Sequence, residues 1–130
     1  VTKITGYPLL IGSFGAAAVL LFVAPESNLT QPRNLVGGHL LSAIIAVFLV
    51  TFFGSGFFVT GFSVGLSIFF MYLTHTLHPP GGATALIGVM GNATPMFIFI
   101  PVLIGVIILL VIALITNNFV NHRQYPKYWL

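Results

Sequence analysis

The residues best suited to chemistry lie in the stretch 75–85, which reads His-Thr-Leu-His-Pro-Pro-Gly-Gly-Ala-Thr-Ala between two long apolar runs. Proline lacks a backbone N–H and disfavours a helical conformation at the residue before it. We therefore predict that a helix over 57–77 ends here and that a second, short helix begins at Pro80-Gly81-Gly82. The candidate binding residues are His75, His78, Pro79, Pro80, Gly81, Gly82 and Thr84.

The start of the second helix is suited to binding an anion. The first backbone N–H groups of a helix have no intrahelical acceptor, and the helix dipole favours negative charge there. Adjacent glycines allow a ligand to approach the backbone closely. An ordinary Pro-Gly turn at the membrane interface explains the same residues equally well.

The two histidines offer a second chemistry. His75 and His78 lie three residues apart, which places them on nearly one face if both are helical. They would donate hydrogen bonds to an anion or relay a proton. The purely structural alternative is that His75 forms a hydrogen bond with a neighbouring carbonyl. A metal site needs three or four ligands, and Glu26 is the sole carboxylate, so no metal or other cofactor is expected.

Further candidates lie in the first half of the chain. His39 stands near the start of an apolar span and either lines the same cavity or sits at the interface. Ser13-Phe14-Gly15 opens a short segment rich in small residues. Ser13 offers a hydroxyl and Phe14 a steric gate, although packing explains both equally well.

Composition identifies the solvent as lipid. Of the 130 residues 58% are hydrophobic and 4% are charged, against about 25% charged in an average soluble domain. We predict an all-α membrane protein with one transmembrane domain over 1–130. A net charge of +3 is too small and scattered for nucleic-acid binding. No enzyme motif is present, and with one loop carboxylate a cation carrier is disfavoured.

Apolar segments over 9–24, 35–53, 57–77, 82–89 and 96–115 predict four to five transmembrane helices, including a short broken helix at the His-Pro-Pro motif. Tyr7 is expected at the interface, Pro8 in a first helical turn, and Asn34 as a helix cap. With five crossings, the loop before Arg33 and the basic C-terminal tail share the cytoplasmic side; with four they lie on opposite sides.

A weak internal repeat accompanies this pattern. Sliding the chain by 67 positions aligns residues 15–18 with residues 82–85, and Gly38 with Gly105. Two halves of this kind favour an inverted pseudo-repeat, a frequent plan in transporters. On that plan the helix 57–77 should have a counterpart before Pro8, so we expect that an N-terminal helix preceding residue 1 is missing.

The chain resembles a known family at four motifs. Residues 77–86, 15–22, 24–27 and 31–39 read LHPPGGATAL, GAAAVLLF, APES and QPRNLVGGH, and they look like motifs of the HPP family of small integral membrane proteins. The resemblance implies a multi-helix membrane protein. In photosynthetic organisms, members are linked to nitrite transport across the plasma membrane or plastid envelope. Such proteins usually carry a helix ahead of the first motif, which agrees with the expectation that a helix preceding residue 1 is missing.

Residues and resemblance together lead to a functional hypothesis. We expect the protein to transport a small monovalent anion, with nitrite as the first candidate. We expect it in the plasma membrane of a bacterium or in a plastid envelope. The alternatives are a non-transporting membrane scaffold or sensor module and a channel for a small neutral solute. The expected partners are the lipid bilayer, the anion and, with so few helices, further copies of the chain in a homo-oligomer.

Overall fold

The computed structural model describes residues 11–130, so the predictions for Tyr7, Pro8 and a helix preceding residue 1 fall outside the described residues. The described part is helical and without strands, which confirms the all-α prediction. A 3₁₀ turn at Asn28–Thr30 follows the first helix. The helices are α1 Gly12–Val23, α2 Pro32–Phe53, α3 Phe57–Leu73, α4 Pro79–Met90 and α5 Ile98–Val120.

Helix length separates the five elements into classes. With 22 and 23 residues, α2 and α5 are long and apolar enough to cross a bilayer, which needs about 20 residues. With 17 residues, α3 is at the lower limit of the roughly 17–25 residues that transmembrane helices use. With 12 residues each, α1 and α4 are only about 18 Å long. Two helices of full spanning length are thus established within residues 11–130.

The start of α2 differs from the prediction. The helix begins at Pro32, whose fixed φ suits the first helical position, and Gln31 rather than Asn34 is the N-cap residue. The Asn34 side chain lies within the first turn and donates to the Leu77 carbonyl at 2.8 Å. Asn34 therefore ties α2 to the linker between α3 and α4 instead of capping its own helix.

The end of α3 also comes earlier than predicted, at Leu73 instead of residue 77. His75 adopts a left-handed conformation with φ 54°, and the Thr76 N–H returns to the Met71 carbonyl at 2.9 Å. This is the Schellman arrangement that closes many helices. The condition under which His75 and His78 would share a helical face is not met, because His75 terminates α3 and His78 precedes α4.

The last helix continues to Val120, five residues beyond the predicted end. Asn117 extends it by donating to the Ala113 carbonyl at 3.0 Å, and the same amide reaches the Leu21 carbonyl of α1 at 3.1 Å. Near its start, α5 kinks at Ile100, where Pro101 removes a backbone donor. A buried asparagine thus joins the end of α5 to α1.

Helix α2 is the centre of the packing, since α3, α4 and α5 all contact it. A Cβ added to Gly81 would lie 2.8 Å from the Gly38 carbonyl oxygen, and one added to Gly88 would lie 2.7 Å from the Ala46 Cβ. Both pairs advance in the same direction, so α2 and α4 run parallel. Because Gly38 is six residues inside α2 and Gly81 is two residues inside α4, α4 begins about 6 Å below the start of the long helix.

Helices α1 and α5 form a second close pair. The Phe14 ring occupies the space that a Cβ on Gly105 would take, and Leu21 receives the amide of Asn117 further along, so these helices also run parallel. The start of α1 lies near Ile87 in the second half of α4, and the loop that follows α1 reaches the start of α4. Hence α1 and α4 are antiparallel.

Buried polar side chains and exposed apolar side chains reverse the pattern of a soluble protein. Phe57 and Phe58 are 89% and 86% exposed, while His39 and His78 are completely buried. Soluble proteins rarely bury imidazoles in pairs while exposing large aromatic side chains. An apolar exterior around a polar interior fits a chain whose solvent is lipid.

The C-terminal tail lies against the loop between α1 and α2. Arg123 donates to the Phe22 carbonyl at 3.0 Å, and the Lys127 N–H donates to the Gln31 side chain at 2.8 Å. The Tyr125 hydroxyl donates to the Thr30 carbonyl at 2.8 Å, and burial raises the pKa of this phenol, which keeps it protonated. Loop and tail share one side, as five crossings predict.

The contact between α2 and α4 should tolerate no side chain at Gly38. We expect Gly38→Val to lower the free energy of unfolding by about 1–3 kcal/mol, because its Cβ would lie 2.6 Å from the His78 Cβ. The measurement is reversible unfolding in mixed micelles. Gly61→Ala, at a helical position with open space around it, is the control and should not destabilise; equal losses would contradict the packing.

Candidate functional site

His78 is held at the entrance of α4 by one strong hydrogen bond. It is the N-cap residue of α4, in an extended conformation, and its Nδ1 lies 2.7 Å from the Leu29 carbonyl oxygen. A carbonyl oxygen accepts only, so Nδ1 carries the proton and donates. In the neutral ring Nε2 is then a lone-pair acceptor.

His39 is held from the opposite direction by a chain of hydroxyl groups. Its Nδ1 lies 2.7 Å from the Thr84 hydroxyl, and that hydroxyl donates to the Ser13 hydroxyl at 2.9 Å. With the Thr84 proton used in this way, His39 Nδ1 is the donor to the Thr84 oxygen. The network joins α1, α2 and α4 through three fully buried side chains.

The two rings meet at the centre of the protein. Their centroids are 4.9 Å apart, and Phe14 closes the other side of His39 with its ring centroid at 5.3 Å. We call His39 and His78 the imidazole pair. Both Nε2 atoms are buried and make no hydrogen bond to any of residues 11–130. Each ring is thus oriented by Nδ1 and presents Nε2 for further chemistry.

Glycine makes this meeting possible. A Cβ on Gly38 would lie 2.6 Å from the His78 Cβ and 3.0 Å from the Thr76 carbonyl oxygen, so the linker passes directly over the backbone of α2. Gly81 is equally constrained by the Gly38 carbonyl, whereas Gly82 meets only Val64, at 3.7 Å. The glycines of the motif therefore serve helix–helix contact.

The helix start offers fewer free amides than the sequence predicted. Because α4 begins at Pro79, the first two helical positions are prolines without N–H groups. The next amide, that of Gly81, donates to the His78 carbonyl at 2.8 Å. The anion cradle predicted at this helix start therefore finds no free donor at Pro79, Pro80 or Gly81, and the buried side chains of the imidazole pair lie beside it.

The structure brings together only part of the predicted set. Ser13, Phe14, His39, His78, Thr84, Pro80, Gly81 and Gly82 are buried around one point. Pro79 is exposed, and so is Gly15, with no atom within 4 Å of an added Cβ. His75 is exposed as well and lines a surface cavity of about 380 Å³ together with Arg33 and Asn34. We call this cavity the mouth; its lining includes Leu77, which precedes His78 in the chain, but neither ring of the imidazole pair.

The imidazole pair is a poor metal site. Among the described residues, no third His, Cys, Asp or Glu gathers with these two rings. Two nitrogen ligands are fewer than structural or catalytic zinc uses. Each Nε2 is instead placed to accept a hydrogen bond from a ligand that can donate one.

Comparison with known proteins agrees with this architecture. Residues 1–126 match the family described as "HPP, transmembrane region". The chain belongs to the HPP family. Its His-Pro-Pro triplet is the segment 78–80 that enters α4.

Two relatives of this HPP chain come from Dictyostelium discoideum and are named only as transmembrane proteins. Each is 48% identical, over 129 and 128 residues, which is 93% and 92% of this chain. The chain spans 45% and 41% of their lengths, so it corresponds to less than half of each relative. No solved structure matches the chain.

Sequence reasoning placed no functional weight on three serines. Ser42, Ser63 and Ser67 are fully buried, and their hydroxyls make no hydrogen bond within the described part of the chain. We call them the serine track. The four-residue spacing of Ser63 and Ser67 shows that they share a face of α3, but spacing alone does not reveal that this face points inward.

The hydroxyl of Thr84 should be essential to the site. Thr84→Val keeps the shape but removes the acceptor of His39 and the donor to Ser13, so we expect a loss of about 1–3 kcal/mol in unfolding free energy. Thr51→Val in α2 is the matched control, because the Thr51 hydroxyl bonds only the Val47 carbonyl of its own helix. Similar losses in the two variants would refute the network.

Proposed function

We propose that this HPP-family chain transports a small monovalent anion across a membrane, and that nitrite is the first candidate for this anion. The observation that carries the proposal is the imidazole pair, whose Nε2 atoms are free among residues 11–130 while Nδ1 is bonded. Burying such nitrogens costs free energy unless they interact with something. A transported solute supplies that interaction.

The proposed chemistry is a paired transfer of proton and anion. Nitrous acid donates its proton to Nε2, the O–H bond breaks, and the nitrite formed accepts a hydrogen bond from the new N–H⁺. Neither histidine has to turn, because Nδ1 already donates to its own acceptor. Reversal of the transfer on the other side releases the acid, so no net charge is left in the protein.

The charge distribution supports an anion over a cation. The sequence has one carboxylate, Glu26, and this side chain is exposed in the loop after α1. Arg33 stands at the mouth beside His75, where its positive charge attracts anions. A cation would meet positive charge at the mouth and no buried carboxylate among residues 11–130.

We further propose that the two halves are inverted repeats. Shifting the bounds of α1 by 67 positions gives those of α4, and shifting α2 gives 99–120, against Ile98–Val120 for α5. The same shift turns the Gly38–Gly81 contact into that of Gly105 with Phe14. The antiparallel course of α1 and α4 supports inversion, which would place their shared site at the membrane midplane.

Orientation follows from the basic residues. We propose that the side carrying Arg33, Arg123 and Lys127 is cytoplasmic, by the positive-inside rule. The expected location in a bacterial plasma membrane or plastid envelope has no support from the relatives, which come from Dictyostelium discoideum. The proposal is therefore confined to an integral membrane protein.

A second candidate is a non-transporting membrane module within a longer protein. The observation in its favour is that the chain spans less than half of each relative. Flux separates the two candidates. If reconstituted chain passes none of nitrite, nitrate, formate or a neutral solute, the transport proposal fails and the module is favoured.

Removal of one Nε2 should slow transport strongly while leaving the fold intact. An asparagine amide can take the place of Nδ1, so His78→Asn can keep the bond to Leu29 without offering Nε2. We expect nitrite uptake by proteoliposomes to fall at least about ten-fold, which corresponds to about 1.4 kcal/mol in the barrier.

The matched control is His122→Asn in the exposed tail, which should transport normally. Helical circular dichroism and a single gel-filtration peak establish that both variants fold. Uptake by His78→Asn equal to that of His122→Asn would remove the imidazole from the mechanism.

A further inference from the structure

We propose that the serine track continues the route of the anion beyond the imidazole pair, between α2, α3 and α4, so that one protomer holds a complete path. This inference rests on the proposed transport function for the identity of the solute. It assigns Ser42, Ser63 and Ser67 to substrate contact, and it makes the α2–α3–α4 junction the place where the protein opens.

The first argument is the hydrogen bonding of these serines. A serine or threonine inside a helix commonly bonds the carbonyl four residues earlier. Thr51 and Thr60, on the same two helices as the track, do so at 2.7 and 2.8 Å. The track hydroxyls form no bond of this kind within residues 11–130, although all three are fully buried. Such groups cost about 1–3 kcal/mol each unless a ligand uses them.

The second argument is their alignment. Ser63, Ser67 and Met71 follow one another at four-residue intervals, on one face of α3. The Met71 sulfur lies 3.2 and 3.1 Å from the Cβ positions of Gly38 and Gly81, so this face is turned toward the contact of α2 with α4.

Depth within the protein follows from helix direction. The short turn at 54–56 makes α2 and α3 antiparallel. One turn beyond Gly38 on α2 stands Ser42, and one turn back from Met71 on α3 stands Ser67. The two serines therefore lie at similar depth, one turn past the imidazole pair, and Ser63 lies a further turn along.

The third argument is that the track runs between two cavities. The mouth of about 380 Å³ near Arg33 and His75 is also lined by Leu29 and Leu77, the neighbours of the imidazole pair. At the other end of α3 a cavity of about 470 Å³ is lined by residues that include Ser55, Thr60 and Met90. Thr60 stands one turn before Ser63, so the track lies between the depth of the imidazole pair and that of the far cavity.

The chemistry of the track suits a small anion or its neutral acid. A hydroxyl donates to an anion and accepts from an acid, so one serine can hold either form without a change of its own charge. Hydroxyls at two levels one turn apart, Ser42 with Ser67 and then Ser63, provide weak, similar sites. Weak repeated binding is what conduction requires, since a solute must leave each site as easily as it enters.

The test uses the absence of cysteine from the chain. Single variants Ser67→Cys and Ser42→Cys are reconstituted in liposomes and treated with an anionic methanethiosulfonate reagent. We expect both to react at least ten-fold faster than the controls, and the modified proteins to lose nitrite flux. Added nitrite should slow the reaction.

Two controls match the variants. Ala43→Cys stands beside Ser42 on α2 and is equally buried, but in the α1–α2–α5 core. Gly61→Cys stands on the exposed face of α3. Reaction of Ser67→Cys no faster than these controls, in protein that still transports nitrite, overturns the path while the transport function stands. Fast reaction that nitrite does not slow supports the path and counts against nitrite as its solute.

Discussion

The structure depends on one backbone contact, the approach of α4 to α2 at Gly81 and Gly38. There the two helices come so close that a Cβ added to Gly38 would lie 2.6 Å from the His78 Cβ. A Cβ added to Gly81 would lie 2.8 Å from the Gly38 carbonyl oxygen. The contact sets the depth of α4, which begins about 6 Å inside the start of α2. It also carries the linker over α2, which brings His78 against His39 although 39 positions separate them.

The imidazole pair shows how a membrane protein can bury polar groups and leave part of their hydrogen-bonding capacity unused. The bonds to Leu29 and Thr84 orient each ring through Nδ1 and offset much of the cost of burial. They also decide which nitrogen of each ring has no hydrogen-bond partner among residues 11–130. Around this centre the exposed surface is apolar, so the contrast between interior and exterior places the chemistry away from lipid.

Much of the architecture could be predicted from local chemistry. Proline and glycine at 79–82 indicate a break and a new short helix, and small residues indicate close packing. The predictions of local structure were wrong where a competing interaction determined the backbone conformation. His75 was expected in a helix but takes the left-handed position that ends α3, and the second proline left α4 with fewer free amides than a helix start normally has. The pairing of His39 with His78 has no local signature, because it arises from the packing of helices distant in sequence.

The central claim is that the free nitrogens of the imidazole pair take up the proton of the transported acid. The most direct measurement is solid-state ¹⁵N NMR of the imidazole nitrogens of His39 and His78 in reconstituted protein, with and without nitrite at mildly acidic pH. We predict that nitrite shifts both Nε2 resonances, or one of them, from the unprotonated to the protonated range while the Nδ1 resonances stay protonated. Unchanged Nε2 resonances in protein that transports nitrite would contradict the account.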